Sequence, residues 1–275
     1  MKPARDPVGE TGPRRPLRVA VAGIGVSPVS YDDVLEMVAH PRDDRAQMFA
    51  FCNVHSVMTA RRDPAVGRAL EASDLATPDG MPLVWALRAQ ERPHQTRVYG
   101  PDLMELALRH GVASGWRHFL FGANDATLDA LSISAERLAP GVQIVGRHAP
   151  PYRPLTPEED AEVIAAIRAS GADVVWVGLG MPKQELWMHR VRDRLPGVSL
   201  LGVGAAFDLL SGTVPQAPDW LQDRGLEWAY RLFREPRRLW RRYLVNNPAF
   251  VVVATLEIAR ARRAGRRRSP GHGHR

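Results

Sequence analysis

The stretch Val174–Met188 reads VVWVGLGMPKQELWM. Its first residues are apolar without period-two alternation, as a strand buried on both faces is. Gly178-Leu179-Gly180 breaks the run, and Pro182 opens a segment suited to a helix. Strand, glycine turn and helix in that order make half of a βαβ unit. The turn admits three readings: a dinucleotide fingerprint, an ordinary strand-to-helix corner, or a site for another ligand.

Outward from this stretch the alternation continues. Upstream, LTPEEDAEVIAAIRASG is a helix, with Thr156 as cap, Pro157 at its first position, Glu159 completing a capping box and Gly171 as stop. VQIVGR, WRHFLFGAN, AQMFAFCNV and LRVAVAGIGV read as strands; DATLDALSISAERLA, PDLMELALRHGVASG and SYDDVLEMVAH read as helices. In the last of these Ser30 is the N-cap and Asp33 its partner. Downstream, QELWMHRVRDR and VSLLGVG continue the pattern. The fold class is therefore α/β: a Rossmann-like, mostly parallel sheet with helices on both faces, spanning residues 17–216. Ligands of such sheets sit at the carboxyl ends of the strands. That gathers the loops after VAVAG, FLFGAN, VVWVG and LLGVG around one crevice.

A chain of 275 residues with 45% apolar content buries a substantial core. Its single cysteine, Cys52, precludes an internal disulfide and fits a reducing compartment. No stretch approaches the roughly 18 apolar residues of a membrane span; AFVVVATLEIA meets Glu257 too early. No leader with a cleavage-type sequence is expected. The net charge of +7 is unevenly placed: from Arg224 to Arg275 fourteen arginines face three glutamates. That asymmetry predicts an anionic partner, whether membrane lipid, phosphorylated substrate or nucleic acid.

Residues 1–16 and 265–275 read as disordered tails, the second basic. Residues 217–264 read as a basic, amphipathic helical appendage with turns at Gly225, Pro236 and Pro248. After Pro236 the apolar Leu239, Trp240, Tyr243 and Leu244 alternate with Arg237, Arg238, Arg241 and Arg242. Such a helix lies at a membrane interface or docks its apolar face on the core, and periodicity does not choose.

Three glycine turns carry the start of a dinucleotide fingerprint, but its third glycine is replaced by Pro28, Lys183 and Phe207. A nicotinamide or flavin cofactor is therefore not expected, and none other is indicated. The backbone N–H groups near Gly178, Gly180 and Gly204 still suit a phosphate. No Cys/His cluster and no Asp-x-Asp occurs, so no metal ligand set is expected. Asp79 stands in a Pro-Asp-Gly turn before a helical run, either as a turn residue or as a general base. Asp208 follows a strand and glycine turn, to cap a helix or to bind a ribose or sugar hydroxyl. Lys183 and Gln184 are either ordinary first-turn residues or the cation and amide that meet a pyrophosphate and a sugar.

Six blocks in one order, PDGMPLVWALR, RVYGPDLM, FLFGAN, VVWVGLGMPKQELWM, GVGAAFDLLSGTVPQAPDW and GLEWAYRLFREPRRLWRRYL, make the chain resemble the WecG/TagA/CpsF glycosyltransferases, glycosyltransferase family 26. The resemblance runs from about Val19 to about Tyr243. It implies a bacterial enzyme, peripheral on the cytoplasmic face of the membrane. Such an enzyme moves a sugar from a UDP-sugar to a polyprenyl-diphosphate-linked sugar with inversion and without a metal. By the same resemblance Asp79 is the base, Gln184 a catalytic amide, and Arg231, Arg238 and Arg241 hold the acceptor diphosphate. Donor binding falls to Asn53, Gly178, Gly180, Lys183, Gly204 and Asp208. Phe51 stands where members often carry threonine, two residues before Asn53. A homo-oligomer is compatible with the resemblance. Nucleic acid is not an expected partner, since the rival, a non-catalytic nucleic-acid module, gives the Asp79 turn no use.

Overall fold

The computed structural model of the chain describes residues 17–90 and 92–268, without the side chains at 219, 223, 238, 241, 242, 262 and 264–268. The tail expected at 1–16 and residues 269–275 of the tail expected at 265–275 lie outside the described residues, whereas the backbone of 265–268 continues the last helix. In chain order the strands are β1 (Val19–Val21), β2 (Ile24–Val26), β3 (Gln47–Cys52), β4 (Leu75–Pro78), β5 (Arg117–Gly122), β6 (Gln143–His148), β7 (Val174–Gly178) and β8 (Ser199–Gly202). The helices are α1 (Tyr31–Ala39), α2 (Val54–Arg62), α3 (Pro64–Ala72), α4 (Met81–Arg88), α5 (Gly100–Ser114), α6 (Asp125–Leu138), α7 (Pro157–Ser170), α8 (Lys183–Val191), α9 (Ala206–Leu210), α10 (Asp219–Asp223), α11 (Glu227–Arg234) and α12 (Pro236–Arg268).

Six strands form one parallel sheet in the order β4-β3-β8-β7-β5-β6. Alternate residues of each strand face opposite layers. Phe49, Leu120, Trp176 and Leu201 pack against Val34, Leu103, Leu108, Leu128 and Leu131 on one side. Met48, Phe121, Val175 and Leu200 pack against Val163, Ile167, Trp187 and Val191 on the other. Both faces are apolar, which is why the strand sequences show no alternation. Trp176 donates its indole N–H to His118 Nδ1 at 3.2 Å. Burial lowers the His118 pKa to about 4, so the ring stays a neutral acceptor. The capping boxes at Ser30–Asp33 and Thr156–Glu159 both form.

Three details differ from the sequence expectation. LRVAVAGIGV is not one strand of the main sheet but a separate antiparallel hairpin of β1 and β2. Its two-residue turn, Ala22-Gly23, has positive φ at both positions (50° and 81°), the geometry that matches hairpin twist. The loop after VAVAG is therefore remote from the crevice. Its Gly23 N–H donates to Glu257 at 2.7 Å. The place of that strand is taken by β4, reached through α2 and α3, which sequence periodicity left unassigned. The turn expected at Pro248 is absent as well, because α12 runs through it to Arg268. Pro248 and Leu244, whose carbonyl loses its helical partner, are both exposed, so water can satisfy the freed group.

β5 and β7 come close beneath the crevice. A Cβ on Gly122, which sits at φ 138°, would lie 2.5 Å from the Gly178 carbonyl carbon. Gly122→Ala is expected to cost about 3 kcal/mol through combined backbone strain and overpacking, read as a lower urea midpoint with unchanged slope. A midpoint within error of wild type would show that the strand ends have room to part.

Candidate active site

An open cavity of about 1100 Å³, mouth included, lies over the carboxyl ends of β3, β4 and β8. Asn53, His55 and Ser56 line it after β3, Asp79, Gly80 and Met81 after β4, and Gly202 to Ala206 after β8. Met181 and Gln184 contribute from the loop after β7, and Trp228, Arg231, Tyr243 and Asn247 come from the C-terminal helices.

Asp79 is fixed from several sides. Its backbone N–H donates to the Cys52 and Thr77 carbonyls, which turns the chain sharply at the end of β4. Gly80 permits that turn to sit against α2, since a Cβ there would lie 3.0 Å from Asn53 Cβ. The Asp79 carboxylate accepts the Gly100 N–H at 3.2 Å and a hydrogen bond from the Asn53 side chain. Burial raises the Asp79 pKa, Arg97 pulls it down and Glu227 raises it further. Asn53 meanwhile caps α2, its Oδ1 accepting from the His55 and Ser56 N–H groups at 3.0 and 3.3 Å.

Around Asp79 stands a charged group that sequence reasoning gave no role. Arg97 donates through Nε to the Asp79 carbonyl and through Nη2 to Glu227 at 2.6 Å. Its guanidinium lies 3.7 Å over the Tyr99 ring, and the Tyr99 hydroxyl donates to Glu227 at 2.9 Å. Burial and the two carboxylates push the Tyr99 pKa up, so the hydroxyl remains a donor. The block RVYGPDLM contains both residues, but Glu227 lies 130 residues from Arg97, and no local pattern links them.

Gln184 is buried and clamps two loops. Its Nε2 donates to the Gly202 carbonyl and to Glu185 Oε1 at 3.0 Å, and its Oε1 accepts the Gly180 N–H at 3.1 Å. Both amide hydrogens are thus used within the protein. Glu185 is 1% exposed, and its Oε2 has no partner. Burial raises its pKa to about 7.

A model of the glycosyl transferase WecG/TagA/CpsF family matches residues 19–264. The chain belongs to that family. It is therefore a glycosyltransferase of cell-surface polysaccharide biosynthesis, a class that takes sugar nucleotides and lipid-linked acceptors and is typically membrane-associated.

On this glycosyltransferase the other expected site residues fall in different places. Gly204 and Arg231 line the cavity, the latter with Nη1 3.9 Å from Glu227. Gly178 and Gly180 are not in the cavity lining: a Cβ on Gly178 would strike Phe207 at 2.6 Å, so its role in the fold is close packing, whereas Gly180, at φ 75°, has open space where its Cβ would be. Lys183 is exposed, its ammonium 4.8 Å over the ring of Tyr152, and it does not line the cavity. Asp208, in the first turn of α9, is also outside the lining. The loop after β5 does not reach the cavity either. The backbone of Arg238 and Arg241 belongs to α12, but their side chains lie outside the described residues. Phe51, at the position where the resemblance leads one to expect threonine, is buried and lines the cavity. Among the described residues no three His, Cys, Asp or Glu side chains group as a metal site requires.

Glu185 makes stability depend on pH. The folded protein holds this proton up to about pH 7, whereas the unfolded chain releases it near the ordinary 4.5. Between those values the folded state binds more protons, so stability falls as pH rises. Glu185→Gln is expected to flatten that part of the urea midpoint-versus-pH curve. A slope equal to the wild type's would assign it to other groups.

Proposed function

We propose that the protein transfers a sugar from a UDP-sugar to a polyprenyl-diphosphate-linked sugar, inverting the anomeric centre without a metal ion, at the inner face of the cell membrane. The observation that carries this is Asp79: a half-buried carboxyl with a raised pKa on the cavity wall, held by Gly100 and Asn53, with Arg97 on its main-chain carbonyl. Burial that raises the proton affinity of a carboxylate makes it a stronger general base than a free one. The non-catalytic alternative, a nucleotide- or nucleic-acid-binding module, has no use for it.

The acceptor hydroxyl oxygen bonds to the anomeric carbon as the bond from that carbon to the UDP oxygen breaks. The hydroxyl proton passes to Asp79, and the bonding electron pair leaves with UDP. Arg97 and Arg231, both on the cavity wall, are the nearest described cations to balance the diphosphates, together with N–H groups of the Gly202–Gly204 turn. The Gln184 amide serves by holding that turn against the Gly180 loop. A donor of the N-acetylmannosamine type, another hexose or a uronic acid is compatible with a pocket whose wall at Phe51 is apolar. Lys183 and Asp208 lie outside the lining, so a donor role for either requires a ligand that extends beyond the cavity.

The membrane part of the proposal rests on α12. Its residues Tyr243–Ala261 are long and apolar enough to span a bilayer by length and composition, but Phe250 and Ala254 are buried beside α2 and Glu257 binds Gly23. Trp240, Leu244, Val251 and Val252 remain exposed on the outer side. Arginines flank this apolar surface, which favours a helix lying in an anionic interface.

Asp79→Asn is expected to keep its circular dichroism and lose on the order of 100- to 10,000-fold in UDP release. A kcat near wild type would remove Asp79 from the chemistry. Replacing Trp240 and Leu244 by serine in the full chain is expected to weaken co-sedimentation with anionic vesicles without lowering Tm. Equal sedimentation would place the membrane contact elsewhere.

A further inference from the structure

The first residue of α11 enters the cavity wall. The Glu227 side chain is 12% exposed and that of Arg97 18%, so their 2.6 Å contact is shielded from water and salt. Glu227 accepts from Arg97 on one oxygen and from Tyr99 on the other. Arg97 then donates to the Asp79 carbonyl, and the residue after Tyr99 supplies the N–H that binds the Asp79 carboxylate. Just before α11, Gly225 at φ 68° packs so tightly on α4 that a Cβ would lie 3.0 Å from Met81 and 3.1 Å from Trp85. The segment carrying Glu227 is thus seated on the helix that follows the Asp79 turn.

We propose that Glu227 is a positioning residue for Asp79: from the C-terminal helices it fixes Arg97 and Tyr99 around the Asp79 turn, so that the base is aligned and its charge balanced when α11 is seated on the core. This rests on the reading of Asp79 as the base given above. An arginine has many rotamers, and holding one over a tyrosine ring with its far end on a carboxylate removes most of them. Without Glu227 the guanidinium keeps its Nε bond to the Asp79 carbonyl but loses the anchor at its far end, and the loop that supplies the Gly100 N–H loses its tie to α11. The charged and titratable groups around Asp79 are Cys52 from β3, His55 from α2, Arg97 and Tyr99 from the segment before α5, Glu227 and Arg231 from α11, and Tyr243 from α12.

The test follows the Asp79 carboxyl by carbon-13 NMR in the full-length protein, with its signal assigned through Asp79→Asn. Glu227→Gln removes an anion and leaves the Arg97 charge uncompensated beside Asp79, so the Asp79 midpoint is expected to fall by on the order of one pH unit. Arg97→Gln is expected to move it up, the opposite sign, and Glu227→Asp to return it toward wild type. In Glu227→Gln kcat for UDP release is expected to fall about tenfold to a hundredfold with little change in KM for the UDP-sugar. An Asp79 midpoint unmoved in both Glu227→Gln and Arg97→Gln overturns the proposal; should the first variant fail to fold, the sign of the second decides. A midpoint that moves while the acid limb of kcat/KM stays fixed supports the coupling and instead defeats the assignment of Asp79 as base.

Discussion

A carboxylate held partly out of water at the end of a strand is the constraint on which this site depends. Desolvation favours the protonated form of Asp79, which cannot serve as the proposed base. The protein offsets that with the Gly100 N–H, the Asn53 amide and the nearby guanidinium of Arg97. Asn53 follows β3, and Arg97 and Gly100 come from the segment that opens α5, so the setting of Asp79 requires β3, β4, that segment and, through Glu227, α11 to be in place together. Fold and chemistry are linked at this one residue.

The glycine turns also shape the site by geometry. Gly122 has no Cβ because β5 and β7 approach more closely than a side chain allows, and Gly178 because the Phe207 ring of α9 fills that space. Gly202 and Gly204 leave space for Gln184, whose side-chain atoms lie 3.1 and 3.3 Å from where their Cβ atoms would be. That space admits an amide with both hydrogens bound inside the protein, and a saturated buried amide fixes the two loops it joins. Its neighbour Glu185 lies in the same dry layer, with one oxygen satisfied by Gln184 and the other by nothing. The cost of that orphan oxygen falls when the group is protonated, which is the physical origin of its raised pKa.

The α/β alternation was legible in the sequence because strands buried on both faces and capped helices leave local signals: the apolar run at Val174–Val177 and the boxes at Ser30 and Thr156 are complete within a few residues. Asp79 and Gln184 were legible as candidates through their turn context. The separate hairpin at Val19–Val26 was not, because a short apolar run with a glycine reads alike whether it continues or folds back. Nor was the Arg97–Tyr99–Glu227 group, since its logic spans 130 residues and only packing brings it together. Lys183 falls outside the cavity lining for a converse reason. Helix position was visible, but its neighbour Gln184 takes the inward face, and the lysine turns out toward Tyr152.

Pro248 shows how one residue changes the meaning of a whole segment. Taken as a stop, it divides the C-terminal region into a short basic helix and a separate apolar one too brief to matter to a membrane. Carried inside a continuous 33-residue helix, it joins both into one rod with two apolar sides. One side places Phe250 and Ala254 on the core cluster that also holds α2 and the hairpin. The other exposes Leu244, Val251, Val252 and Leu256. A helix that used its whole apolar circumference on the core would have nothing left for a lipid surface, and one that spanned a bilayer would have to surrender Phe250 and the Glu257–Gly23 bond. The observed division, half against protein and half outward with arginines at both ends, puts the cavity beside any surface that α12 contacts, because Tyr243 and Asn247 of the same helix line its wall.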